Sequence, residues 1–125
     1  MKSIVTSAAA PAAIGPYSQA VRHGGLLFVS GTLGMDPITG ELAGAGIETQ
    51  AERALENLKA IIEAAGMGLQ NVLKSTVFLR DMNDFAKFNE IYARYFPATP
   101  PARETVQVAR LPRDAAIEIS VICGA

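Results

Sequence analysis

Residues 47–80 read IETQAERALENLKAIIEAAGMGLQNVLKSTVFLR, and a change of hydrophobic period inside this stretch decides the fold. Apolar residues fall at Ile47, Ala51, Ala54, Leu55, Leu58, Ile61, Ile62 and Ala65, the i, i+3, i+4, i+7 spacing of one helical face. Glu48, Glu52, Arg53, Glu56, Lys59 and Glu63 lie off that stripe, so one side of the helix is buried and the other wet. Gly66 stands where a helix end commonly needs a left-handed residue. From Val72 to Arg80 the period shortens to two: Leu73, Ser75, Val77 and Leu79 share one parity, as along a strand.

Working outward, a second helix is expected after this strand. Asn83 or Asp81 can cap it, Phe85, Phe88, Tyr92, Tyr95 and Phe96 form its apolar stripe, and Pro97 ends it. Two further strands follow, one after Pro101 through Ala109 and one from Ile117 to about Cys123. Upstream, YSQAVRHGGLLFVSG (17–31) reads as a hairpin of two strands, Tyr17 to Arg22 and Leu26 to Ser30, turning at His23-Gly24-Gly25. The order strand, strand, helix, strand, helix, strand, strand predicts a single α+β domain over residues 1–125, with two helices on one face of a sheet. The uncovered face is expected to carry Thr105, Gln107 and Glu118, or their opposite-parity neighbours, and to bury itself against copies of the chain.

The totals agree with one such domain. A chain of 125 residues can bury a core without disulfides or metals. Its 18% charged residues fall below the roughly 25% usual for soluble domains, which suits a surface partly hidden in subunit contacts. A net charge of -1 and the lack of any Lys/Arg run argue against a nucleic-acid backbone as partner. No apolar run approaches the roughly 18 residues that span a bilayer. The start, MKSIVTSAAAPAAIGP, has only Ile4 and Val5 between its lysine and its alanines, so a signal peptide is not expected. The lone Cys123 forms no internal disulfide and fits a reducing compartment such as the cytosol, as a buried strand residue.

The candidate chemistry is sparse. There is no His/Cys/Asp/Glu cluster at metal-ligand spacing, no phosphate-binding loop and no G-x-S-x-G elbow. Gly40, Gly44 and Gly46 read as turn residues, and His23, the only histidine, sits in the expected hairpin turn. Arg103 stands out: a guanidinium is a fixed cation whose paired donors match a carboxylate, and Pro100, Pro101 and Ala102 stiffen the backbone that carries it. The ordinary alternative is a surface arginine. Glu118 alternates with Ile117 and Ile119, so it faces away from them, either into water or into a cleft where it could take a proton from water. Tyr17 offers a hydroxyl or a packing ring, and Ser30-Gly31 offers a turn or a backbone N–H open to a close-approaching anion.

Four blocks, AIGPYSQAV, LLFVSGTLGMDPITGEL, TVFLRDMNDFAKFNEIY and PPARETVQVARLPRDAAIEI, taken in order and spacing, resemble the reactive intermediate deaminase family, also called RidA or YjgF. The likeness runs from about Ala10 to Ile122. It implies a chorismate-mutase-like fold, a homotrimer with clefts between neighbouring subunits, and hydrolysis of 2-imino acids and their enamine tautomers to 2-oxo acids and ammonia. Such imines, 2-iminobutanoate and 2-iminopropanoate among them, are released by pyridoxal-phosphate enzymes. The resemblance further implies that no metal or organic cofactor is needed. By position, Arg103 would pair with the substrate carboxylate and the Gly31 N–H would contact the same group. Glu118 would orient or deprotonate water with help from the Thr105 carbonyl, and Tyr17, Ser30 and Asn89 would line the pocket. Many members carry cysteine where this chain has Thr105, a change that a backbone-carbonyl role survives. Two other readings stay open: a non-catalytic trimer that binds small carboxylates or proteins, and an endoribonuclease.

Overall fold

A computed structural model describes residues 1–125. Six strands form one sheet: β1 (Ser3–Val5), β2 (Ala20–His23), β3 (Leu26–Leu33), β4 (Val72–Leu79), β5 (Ala102–Gln107) and β6 (Ile117–Gly124). Their spatial order is β1-β2-β3-β6-β4-β5, and every pair is antiparallel except β4 with β5. A parallel pair needs a crossover, and α2 (Phe85–Tyr95) supplies it. The longer α1 (Ile47–Ala64) packs beside α2 and against β3 and β6, so both helices cover one sheet face. Two helices on one face of a sheet are the α+β arrangement that the order of elements predicts, and the sheet is mixed. No helix is long and apolar enough to cross a membrane.

The core lies between that face and the helices. Ala51, Ala54, Leu55, Leu58 and Ile62 of α1 meet Leu27, Val77, Leu79, Ile117 and Ile119 of the sheet. The helical stripe read from the sequence is the buried one, and Gly66 ends the helix at φ +79°. Cys123 is fully buried on β6, and burial pushes its thiol up to about 11.

Two polar side chains inside this core act as clamps. Asn57 of α1 donates from Nδ2 to the carbonyls of Leu33 (3.1 Å) and Met35 (2.8 Å). Gln50, one level away, donates to the Gly44 carbonyl (2.7 Å) and accepts from the Ala116 N–H (2.7 Å). Buried amides are tolerated only when bonded in this way. Together they tie the end of β3 and the entry to β6 to one helix.

Five expectations need correction. β1 is an additional strand, recruited to Ala20–Arg22 across a long segment, a non-local pairing that three residues do not signal by period. The first hairpin strand begins at Ala20 rather than Tyr17 because Gln19 is turned to hold the N-terminal segment, donating to the Pro11 carbonyl (2.7 Å) and accepting from the Ser7 N–H (2.6 Å). Leu73 is exposed although its parity matches Ser75 and Val77, because a register shift between Val72 and Lys74 buries Val72 instead. Asp81, one of the two expected caps, caps a short 3-10 turn over Met82–Asp84 rather than α2 itself, and Phe85, expected in the apolar stripe, is left partly exposed. Finally, Thr105 and Gln107 lie beside Val77 and Leu79 in the parallel register, on the helix-covered side, whereas Glu118 alone of that trio faces away from the core.

The open face carries apolar side chains. Ile4, Leu26, Phe28 and Val106 are exposed there, at 65%, 40%, 44% and 43%. Ile4 and Phe28 flank Val21 in register, and Phe28 pairs with Ile122. A contiguous apolar row of this kind on a small chain marks a surface meant to be covered.

Candidate functional site: two half-sites on opposite faces of the sheet

The β3–β6 pairing slips by one residue between Val29 and Thr32, a bulge that takes Ser30 and Gly31 out of the regular ladder. Bulges re-aim side chains and backbone groups, and this one lies beside Glu118. A Cβ placed on Gly31 would meet Glu118 Oε1 at 2.6 Å and Cδ at 2.7 Å. The carboxylate therefore rests directly over the glycine backbone, in space that only glycine leaves open.

Glu118 has no hydrogen-bond or ion-pair partner, and burial alone pushes its carboxyl above the usual glutamate range. It lines a cavity of about 410 Å³ together with Tyr17, Ser30 and Gly31. Tyr17 is half exposed at 49%, so its ring forms a rim rather than core. The Ser30 hydroxyl donates to the Ser18 carbonyl (2.6 Å) and so holds the segment that carries Tyr17. Ile14, Met35 and Arg113 also line the cavity. Arg113 is not among the residues singled out in the sequence; its backbone sits in the left-handed region at φ 58°, which no pattern in the sequence announces.

Arg103 lies elsewhere. In the parallel ladder it sits beside Ser75, on the face that α2 covers. Its guanidinium carbon stands 4.8 Å from the ring centre of Tyr92, 5.3 Å from Phe88 and 5.6 Å from Phe85, within cation–π range of all three. It forms no ion pair, since the nearby Glu104 points to the opposite face and is taken by Lys74 at 3.3 Å. Asn89 and Arg103 share a shallow open cavity with Pro100 and Pro101.

Thr105 follows Arg103 on the same side, and its hydroxyl is buried without a partner. Its backbone is differently placed. The Val108 N–H donates inward to the Leu79 carbonyl (3.0 Å), so alternation along the strand turns the N–H and C=O of Thr105 to the outer side of β5. That side is a free sheet edge, because β5 ends the strand order.

The seven residues singled out in the sequence thus form two groups rather than one. Glu118, Gly31, Ser30 and Tyr17 meet in one cavity; Arg103, Asn89 and Thr105 gather at the β5 edge on the other face. Each group is chemically half complete: one holds a raised carboxylate without an ion-pair partner, the other a guanidinium without one. No three His, Cys, Asp or Glu side chains come together as a metal site.

Comparison with known proteins gives the same picture of kinship. The family described as Endoribonuclease L-PSP matches residues 7–124. A RutC family protein of Pyrococcus horikoshii is 52% identical over 122 residues, covering 98% of this chain and 97% of that protein. The mouse protein named 2-iminobutanoate/2-iminopropanoate deaminase is 48% identical over 122 residues, covering 98% of this chain and 90% of that one. Among solved structures, Escherichia coli TdcF with bound serine superposes with a TM-score of 0.95 at 46% identity, covering 98% of each chain. The chain belongs to the Endoribonuclease L-PSP family, the group of the RidA and YjgF proteins.

Proposed function

We propose that this protein is a 2-imino acid deaminase that hydrolyses 2-iminobutanoate and 2-iminopropanoate, and that it works as a homotrimer of chorismate-mutase-like subunits with each site shared by two neighbours. The observation that carries this reading is the separation of the half-sites: an unpaired Arg103 and an unpaired Glu118 on opposite faces of one sheet. One subunit's β5 edge, docked at another's Glu118 cavity, would unite them. The apolar open face and the free outer edge of β5 are the surfaces that such docking would cover. The relative named as a deaminase supports the reaction class, and the relative with bound serine supports a pocket for a small amino-acid-like carboxylate.

The chemistry asks little of the protein. A protonated imine carbon is already electrophilic, so the task is to hold the carboxylate and aim water. Arg103 binds the substrate carboxylate in the plane of its guanidinium, and the Gly31 N–H adds a second donor. Glu118, in its ionised form, takes a proton from water as the oxygen bonds to C2, giving a carbinolamine. Glu118 then passes that proton to the nitrogen and, ionised again, takes the carbinolamine's hydroxyl proton as the C–N bond breaks, so that ammonia and the 2-oxo acid leave. The Thr105 carbonyl at the outer edge accepts a hydrogen bond from the attacking water. A raised carboxyl suits this exchange, since it gives up its proton more reluctantly than a free glutamate and is a stronger base when ionised.

Mixing two dead variants tests the reading. Arg103→Ala and Glu118→Ala, each inactive alone, are co-expressed and assayed for 2-oxo acid release from imines trapped competitively with semicarbazide. If one site takes its arginine and its glutamate from different chains, random assembly restores about a quarter of the sites. Zero recovery with intact oligomers would place both residues in one chain's site and defeat the shared-cleft reading. Absence of turnover by the wild-type protein would defeat the deaminase reading itself, leaving a carboxylate-binding protein.

A further inference from the structure

Arg103 lacks any charged or hydrogen-bonding partner inside the chain, yet it is only half exposed and its backbone is a regular strand residue. Something other than an ion pair must hold so long a side chain in place. The three rings on α2 do. Phe85, Phe88 and Tyr92 recur at helical spacing, i, i+3 and i+7, so their rings project to one side, and that side faces the guanidinium at 4.8 to 5.6 Å. The rings are themselves fixed. Phe88 is fully buried, its ring lies 5.3 Å from Tyr92, and the Tyr92 ring packs at a tilt 4.6 Å from Phe96.

One further bond ties the cradle to the strand that carries the cation. The Tyr92 hydroxyl shares a hydrogen bond of 2.8 Å with Ser75 Oγ, and Ser75 is the residue directly beside Arg103 in the β4–β5 ladder. Ser75 is fully buried in a sheet interior where alanine or valine would be the simpler occupant. A serine–tyrosine pair there satisfies itself and adds one thing an alanine–phenylalanine pair lacks: it sets the ring's position relative to the strand.

Aromatic faces restrain a cation without neutralising it. A carboxylate partner would hold Arg103 as firmly, but would occupy the in-plane N–H donors and compete with any incoming anion. The rings hold the guanidinium by its charge without bonding its N–H donors, which stay available to bind a carboxylate bidentately. We propose that Phe85, Phe88 and Tyr92, with Ser75 behind Tyr92, are positioning residues that pre-set Arg103 for the substrate carboxylate. This rests on the deaminase reading for its substrate and on the geometry above for its mechanism.

The test varies ring electrostatics without altering shape. Phe88 is replaced by mono-, di- and trifluorophenylalanine, which progressively drain the ring face, and Phe85, being partly exposed, is replaced by leucine and by tryptophan. Steady-state hydrolysis of 2-iminobutanoate is measured for each, with thermal unfolding as a control on folding. The expected result is a KM that climbs stepwise with fluorine number, by up to ~10-fold, while kcat changes less than ~3-fold. Phe85→Leu raises KM in the same sense and Phe85→Trp restores it. A flat KM across the fluorine series, or a loss confined to kcat, would overturn the cradle. Binding of 2-oxobutanoate by calorimetry, run on the same set, keeps the two ideas separate. If wild type turns over no imine, the graded loss of 2-oxobutanoate affinity still reports the cradle, and its absence there refutes it.

Discussion

Gly31→Ala is the substitution whose outcome the geometry fixes most tightly. The added methyl would stand 2.6 Å from Glu118 Oε1, 2.7 Å from Cδ and 3.1 Å from Cγ. Comfortable separations for such atoms are about 3.5 Å, so the carboxyl group must retreat by nearly ~1 Å. On the mechanism proposed above, a displacement of that size at Glu118 costs about 10²-fold in rate, or ~2.7 kcal/mol in the barrier. The fold should hardly notice. Gly31 is not in the left-handed region, the obstructing atoms are the end of a flexible side chain, and Gly→Ala gains about 0.4–1 kcal/mol through the unfolded chain. An off-rotamer glutamate gives back about 0.5–1.5 kcal/mol. The expectation is therefore kcat reduced about a hundredfold with unfolding free energy within ~1 kcal/mol of wild type. Semicarbazide-competition kinetics and urea unfolding measure the two quantities on the same preparations. Wild-type kcat in Gly31→Ala would refute the reasoning, and so would a loss of unfolding free energy well beyond ~1 kcal/mol.

Two other outcomes follow from the structure. Burial raises the Glu118 carboxyl in the folded state, so the fold favours its protonated form and wild type loses stability as pH rises from the unfolded glutamate range through the folded value. Glu118→Gln removes that loss: its unfolding free energy should match wild type in acid and exceed it at neutral pH, and on the proposed mechanism wild-type kcat should climb through the same window as Glu118 ionises. Identical pH–stability curves for the two proteins would contradict this. Asn57→Ala strands the carbonyls of Leu33 and Met35 inside the molecule and should cost about 2–4 kcal/mol in urea unfolding, against near-neutral effects at the exposed Glu63 on the same helix.

Much of this fold was legible because its signals are local. The stripe from Ile47 to Ala65 and the alternation from Ile117 to Cys123 each describe one face of one element, and the side chains they bury are the ones found in the core. Gly66 and the proline after Phe96 mark helix ends through the backbone angles they permit or forbid. Where the reading failed, a partner distant in the chain had intervened. Ser3–Val5 becomes a strand only because Ala20–Arg22 offers it an edge, and Leu73 is turned outward by a bulge that its own parity gives no reason to expect.

The site divides in the same way. Arg103, Glu118 and Gly31 could be named from the chain itself, by residue type, alternation and family likeness, since a cation among prolines and a carboxylate among isoleucines are unusual on a line of text. Their arrangement was a matter of tertiary structure. Arg103 and Glu118 both belong to strands, but β5 runs parallel to β4 and β6 antiparallel to it, and the resulting registers place the two charges on opposite faces. Pairing register depends on which strands meet, not on the period within either one. The same holds for the three rings over Arg103: their spacing along α2 is written in the sequence, but the crossover from β4 to β5 is what lays that helix face across the guanidinium.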